Sequence, residues 1–136
     1  MNIETLAESI NTVSEVCFNS SQAAGWWEQY DRVELLDTDD SMKQYLRKSI
    51  EGSKYALMHS ELSEGLEGLR KDLKDDHLPD RPMEEVELAD ALIRVFDYAG
   101  KKGFDLGGAV MEKLHYNQKR VDHSKEARNA TGGKVI

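Results

Sequence analysis

The sequence predicts an all-α fold, a four-helix-bundle-like protomer, on three observations. Strong helix formers dominate and only two prolines interrupt the 136 residues. Apolar residues recur at three- and four-residue steps in several long segments, the spacing of one helix face. Short connections carrying Gly, Pro or Asp separate those segments. The length suits one domain with one core, best defined at about residues 54–121, with a polar tail at about 122–136. One apolar face per helix can serve both the bundle and a subunit contact, so a homo-oligomer, a dimer or tetramer, is expected.

The first helix is expected over residues 3 to about 24, with Ile3, Leu6, Ile10, Val13 and Cys17 on one face and Gly25 as its stop. "GWWEQYD" follows. In "DRVELLDTDDSMKQYLRKSI" a helix start is expected at Asp40 or Ser41. That helix either is short or runs straight into the next, with Gly52 a possible interruption. The second long helix is expected over about 53–75, with Met58, Leu62, Leu66, Leu69 and Leu73 as its core stripe. Pro79 and Pro82 punctuate the following loop. Pro82 suits the first position of a third helix whose first turn is acidic, as the helix dipole favours. Leu88, Leu92, Val95 and Ala99 form its stripe, and it ends at "AGKKG". A fourth helix runs from Asp105 or Leu106 to about Val121.

Composition excludes several functions. Net charge is −8, a poor footprint for binding nucleic acid. Cys17 is the one cysteine, so neither an intrachain disulfide nor a thiolate zinc site can form. The N-terminus lacks a signal-peptide pattern, and no apolar run approaches a membrane span. A cytoplasmic protein without membrane partners is the expectation.

The chemistry-bearing pattern is a pair of carboxylate pairs. Glu61 and Glu64, three apart in "LMHSELSEGLEGLRK", share a helix face, and Glu87 and Asp90 do so in "VELADALIRVF". A short loop joins the two helices, so they should pack antiparallel, and the four acids can then make a cage of hard oxygen donors. Such a cage suits Mg²⁺, with Mn²⁺ as a substitute, completed by phosphate oxygens. Gly65 and Gly68 lie beside it. Each costs roughly 0.5–1 kcal/mol relative to Ala in a helix, which close approach of a ligand or helix would justify. Lys113, Asn117 and Arg120 share one side of the fourth helix and can donate to phosphate. Lys54, seven residues before Glu61, shares its face. Trp26 and Trp27 are candidates to stack on a base, although aromatics at a helix end also serve as core.

These stretches, with "EKLHYNQKR", resemble the MazG-like branch of the all-α nucleoside triphosphate pyrophosphohydrolases. The match is clearest over about residues 54–121 and looser in the first helix. The resemblance implies that Glu61, Glu64, Glu87 and Asp90 hold Mg²⁺ and serve catalysis. It also implies that Lys113, Asn117 and Arg120 meet the substrate, that Trp26 or Trp27 helps form the base pocket, and that the chain assembles as a dimer or tetramer. The implied reaction hydrolyses a (d)NTP to a (d)NMP and pyrophosphate, a house-cleaning activity on the nucleotide pool. Residues 28–50 are longer than the family's connection. Arg94 either contacts phosphate or pairs with Asp97. Lys134 in the tail is a candidate to close over a triphosphate. A di-iron bundle needs two E-x-x-H motifs, and only Glu112–His115 is present. The alternative is a catalytically silent helical oligomer that binds a nucleotide or protein partner.

Overall fold

The computed structural model describes residues 2–120, 124–130 and 132. Lys134, the residue considered for closure over substrate, lies outside them. The described chain is α-helical, without a strand among these residues. Helix α1 spans Ile3–Ala23. The side chain of Asn2 accepts from the Thr5 N–H at 2.7 Å at its start. Gly25, at φ +83°, turns the chain after it. A short α2 (Glu28–Arg32) and a 3₁₀ turn (Val33–Leu35) occupy the stretch before the long helix. The Asp39 carboxylate then caps α3 by accepting from the Met42 N–H at 2.8 Å.

Helix α3 is continuous over Asp40–Lys71, 32 residues. Gly52 does not interrupt it, because the helix dihedrals cost glycine only entropy there and 19 residues of helix follow on its C-terminal side. Asp72 ends the helix in the left-handed region, its N–H pointing at the carbonyls of Gly68 and Leu69. The next loop is pinned by buried Asp75, whose carboxylate accepts from the His77 and Leu78 N–H groups at 2.9 and 2.6 Å. Pro82 is the N-cap of α4 (Met83–Lys102), one position before that expected, and Gly103 closes it at φ +65°. Helix α5 is Leu106–Lys119, capped by Asp105 through the Gly108 N–H at 2.9 Å. The described part of the tail forms a short α6, Lys125–Asn129.

The chain divides into two compact units, Val13–Phe104 and Met1–Thr12 with Asp105–Ile136. Within the first, α3 packs along α4. The seam is made by small residues and acids: Gly65, Gly68, Glu61 and Glu87 are all buried. A Cβ on Gly68 would sit 2.9 Å from the Met83 Cβ, and one on Gly65 would sit 3.4 Å from the Glu87 Cβ. This corrects the expected core stripe of the second long helix. Leu62, Leu66, Leu69 and Leu73 are between 40% and 58% exposed. Leu62, Leu66 and Leu69 lie one residue, about 100°, around the helix from Glu61, Gly65 and Gly68, and Leu73 lies just past the helix end. Leu88 and Leu92 of α4 are likewise exposed. The core of this unit instead gathers Trp27, Val33, Ala91, Tyr98 and Ala99. Trp27 and Tyr55 each pack a ring against Tyr98, and the Ser14 hydroxyl donates to the Phe96 carbonyl at 2.7 Å.

In the second unit the backbone at Gly107 lies against Ala7, where a Cβ would come within 2.0 Å of the Ala7 carbonyl oxygen. Asn11 braces this contact, accepting from the Gly107 N–H and donating to Asp105, both at 2.7 Å. Among the described residues, no helix is long and apolar enough to cross a membrane.

Candidate metal centre

Glu61 comes from the middle of α3, and Glu87 and Asp90 from the first two turns of α4. The close approach of the helices at Gly65 and Gly68 brings the three together. One carboxylate oxygen from each lies within 4.8 Å of the others. A metal with oxygen ligands at about 2.1 Å places neighbouring ligands about 3 Å apart and opposite ones about 4.2 Å apart. Small side-chain rotations would bring this set onto one metal ion. Glu61 and Glu87 are buried and Asp90 is exposed, so the cluster has a wall and an open side.

Electrostatics favour a cation there. Glu87 is pushed up to about 7, first by desolvation, then by its hydrogen bond with Glu61 and the charges of Glu64, Glu61 and Asp90. Arg94 Nε donates to Glu61 and supplies part of the missing positive charge. Of the protein partners, Glu61 and not the Asp97 weighed in the sequence is the one that Arg94 meets. The expected cage of four acids is here a set of three. Glu64, one turn from Glu61 but exposed, stands outside it and acts on Glu87 through its charge.

Asp90 and Arg94 also line a cavity of about 710 Å³ between α1, α3 and α4. Its polar side carries Ser20, Ser21, Lys54 and Asp97, and its apolar side includes Leu57 and Ile93. Lys54 donates to the Trp26 carbonyl at 3.0 Å and sits 4.2 Å over the Trp27 ring. Desolvation lowers its pKa, with Asp97 opposing. The two tryptophans part company. Trp26 is 71% exposed and lines the cavity, whereas Trp27 is 0% exposed. Its indole N–H donates to Asp97 at 2.7 Å, and Lys54 and Lys101 both lie over its ring. Trp27 is thus a core residue rather than a stacking platform, a correction to its place among the substrate contacts.

Lys113, Asn117 and Arg120 belong to the other unit. Lys113 lies 4.6 Å over the Tyr116 ring, and Arg120, the C-cap of α5, lies 5.8 Å over it. The side-chain Oδ1 of Asn117 is buried with no hydrogen-bond partner among the described residues, an acceptor suited to a donor from a ligand.

Sequence reasoning missed Asp97 and the serines opposite it. Asp97 is seven residues after Asp90, two turns along the same helix face, so extending the E-x-x-D pattern by two turns finds it. Comparison of the chain with family models, curated proteins and solved structures gives no match.

Proposed function

We propose that the protein is a Mg²⁺-dependent nucleoside triphosphate pyrophosphohydrolase, working as a homo-oligomer. The observation that carries this reading is the carboxylate triad Glu61, Glu87 and Asp90 at the edge of a cavity that also carries Lys54, Arg94 and Trp26. Acids that gather a cation stand beside cations that suit phosphate and an exposed aromatic that suits a base. The resemblance of the E-x-x-E, E-x-x-D and Lys–Asn–Arg stretches to the MazG-like enzymes supports the same reading.

Each side chain has a task that follows from its place. Glu61, Glu87 and Asp90 hold the metal, and Glu64 adds negative charge from the exposed side. A bound divalent cation supplies charge neutralisation at phosphate oxygens and a more acidic water. Arg94, paired with Glu61, would share or give up that acid to a metal held there, and its guanidinium would then be available to donate to phosphate. Lys54 adds a second donor on the cavity wall. One of the glutamates of this set would take the proton from the water that adds at the α-phosphorus, within the α–β phosphate linkage. The bond to the departing pyrophosphate breaks as the new bond to the α-phosphorus forms. Lys113, Asn117 and Arg120 are assigned to the substrate by resemblance.

A second reading, a catalytically silent helical oligomer that binds a nucleotide or protein partner, draws on one observation: Arg94 already occupies Glu61. Pyrophosphate release from a panel of NTPs and dNTPs, with and without Mg²⁺, separates the two. Metal-dependent release is expected from the wild type and is expected to fall at least 100-fold in Glu61→Gln and in Asp90→Asn. Folded wild-type protein that releases pyrophosphate from none of them would leave the binding role.

A further inference from the structure

Asp97 is a buried carboxylate that the proposed reaction does not use. It takes two neutral donors, the Trp27 indole N–H at 2.7 Å on Oδ1 and the Ser21 hydroxyl at 3.1 Å on Oδ2. Among the described residues it has no ion pair, although it is one of the most deeply buried acids of its helix. A carboxylate has about four acceptor sites, so two remain. Asp97 also lines the cavity. Burying a charge against two neutral donors is costly when a neutral Asn could anchor the same indole. The leftover acceptor capacity facing the cavity is what the charge adds.

Its position along α4 gives that capacity a use. Asp90 and Asp97 are seven residues apart, about 10 Å along the axis and nearly in line on one face. Both line the same cavity, Asp90 at the triad and Asp97 two turns away, with exposed Trp26 on the wall. A nucleotide with its phosphates at the triad extends its base about that far. From this we infer that Asp97 reads the base, accepting from an exocyclic amino group, so that the site selects amino-bearing bases over those with a carbonyl at the same position. This rests on the nucleotide reading of the site. Cytosine and uracil make the sharpest comparison, because they differ in a donor against an acceptor at C4. A carbonyl oxygen turned towards Asp97 meets two lone pairs and negative charge, which is repulsive, whereas an amino group gains a charge-assisted hydrogen bond.

The inference makes Asp97→Asn a change of preference rather than a loss of fold. The Asn carbonyl can still accept from the Trp27 indole, and its NH₂ presents a donor to the cavity. Steady-state kcat/KM for dCTP and dUTP with Mg²⁺ is the test. The wild type is expected to favour dCTP roughly 10- to 100-fold, the range for a hydrogen bond to a charged group. Asp97→Asn is expected to shift the ratio towards dUTP by at least tenfold with its melting temperature held. Ser21→Ala, which removes a donor to Asp97 but leaves the carboxylate, should keep the dCTP preference. Equal hydrolysis of the two by the wild type, or the same ratio in Asp97→Asn, would overturn the base assignment and leave the hydrolase reading standing. If no nucleotide is hydrolysed, the hydrolase reading fails. Titration of dCMP and dUMP with Mg²⁺, followed by tryptophan fluorescence, then still reads Asp97. Preference for dCMP that Asp97→Asn abolishes upholds it, and equal or absent binding rejects it.

Discussion

Glu87 concentrates the site's electrostatics in one side chain. Its folded-state pKa of about 7 stands above the ordinary 4.5, because burial and the surrounding carboxylates all oppose its charge. Below about 4.5 both folded and unfolded chains hold this proton. Between about 4.5 and about 7 the folded chain keeps a proton that the unfolded chain has lost, so stability falls as pH rises. Above about 7 the full penalty is present. Metal-free wild type should therefore lose stability relative to Glu87→Gln across that window, by about 3 kcal/mol at most. The comparison cancels the titrating groups that lie away from this acid cluster. Millimolar Mg²⁺ should restore wild type, more at pH 8 than at pH 5.5, and leave Glu87→Gln nearly unmoved. Thermal melts across pH with and without Mg²⁺ read this directly, and a wild-type curve parallel to that of the variant would show that Glu87 carries no such strain. At this scale the sequence displayed the acids but not their environments. Adjacent residues on a helix or turn point about 100° apart, so nothing in "GWW" tells which indole meets Asp97 and which meets solvent.

The helix ends were the most legible elements, because caps are local. Gly25, Gly103 and Asp105 act as expected, and the Asp39 cap lies one residue from the expected start. The helix face was less legible. Along α3, the Glu61–Gly65–Gly68 seam and the Leu62–Leu66–Leu69 stripe both repeat at three and four residues, and hydropathy alone favours the leucines. What decides is approach distance: α4 comes close enough that a Cβ on Gly68 would lie 3.0 Å from the Glu84 backbone nitrogen. Gly68→Ala should consequently destabilise by about 1–3 kcal/mol, since a helix backbone cannot give way as a flexible side chain can. It should also weaken Mg²⁺ binding, because Glu87 begins one turn beyond the clash. Gly52→Ala has nothing within 4 Å of the added Cβ and should stabilise by roughly 0.5–1 kcal/mol through helix propensity alone. Urea melts of the two variants should move in opposite directions, and matching shifts would mean that the seam is not where close packing matters.

For the molecule as a whole, the balance of buried and exposed apolar side chains is the informative quantity. The buried set within Val13–Phe104 is modest, with Trp27 its one fully buried large side chain. Meanwhile Leu62, Leu66 and Leu69 on α3, Leu73 just past its end, and Leu88 and Leu92 on α4 remain substantially exposed. Scattered surface leucines need no explanation, but six on or beside two packed helices are a concentration that a covering surface would explain. Fully covering an exposed leucine is worth about 1.5–3 kcal/mol; these six are already about half covered, so leaving the remainder in water forgoes a stabilisation near the low end of that of a whole small domain. A second copy of the chain is the occupant that the homo-oligomer reading supplies. Light scattering after gel filtration should therefore give a mass of two or four chains at micromolar concentration. The melting temperature should rise with protein concentration, as mass action requires when folding and association are linked. Leu66→Glu combined with Leu69→Glu places two charges among these leucines without touching Gly65, Gly68 or the acids. It should lower the mass towards one chain and abolish the concentration dependence. A wild type that runs as a single chain at all concentrations would instead assign these leucines to a different partner, and would remove any second subunit from the nucleotide site.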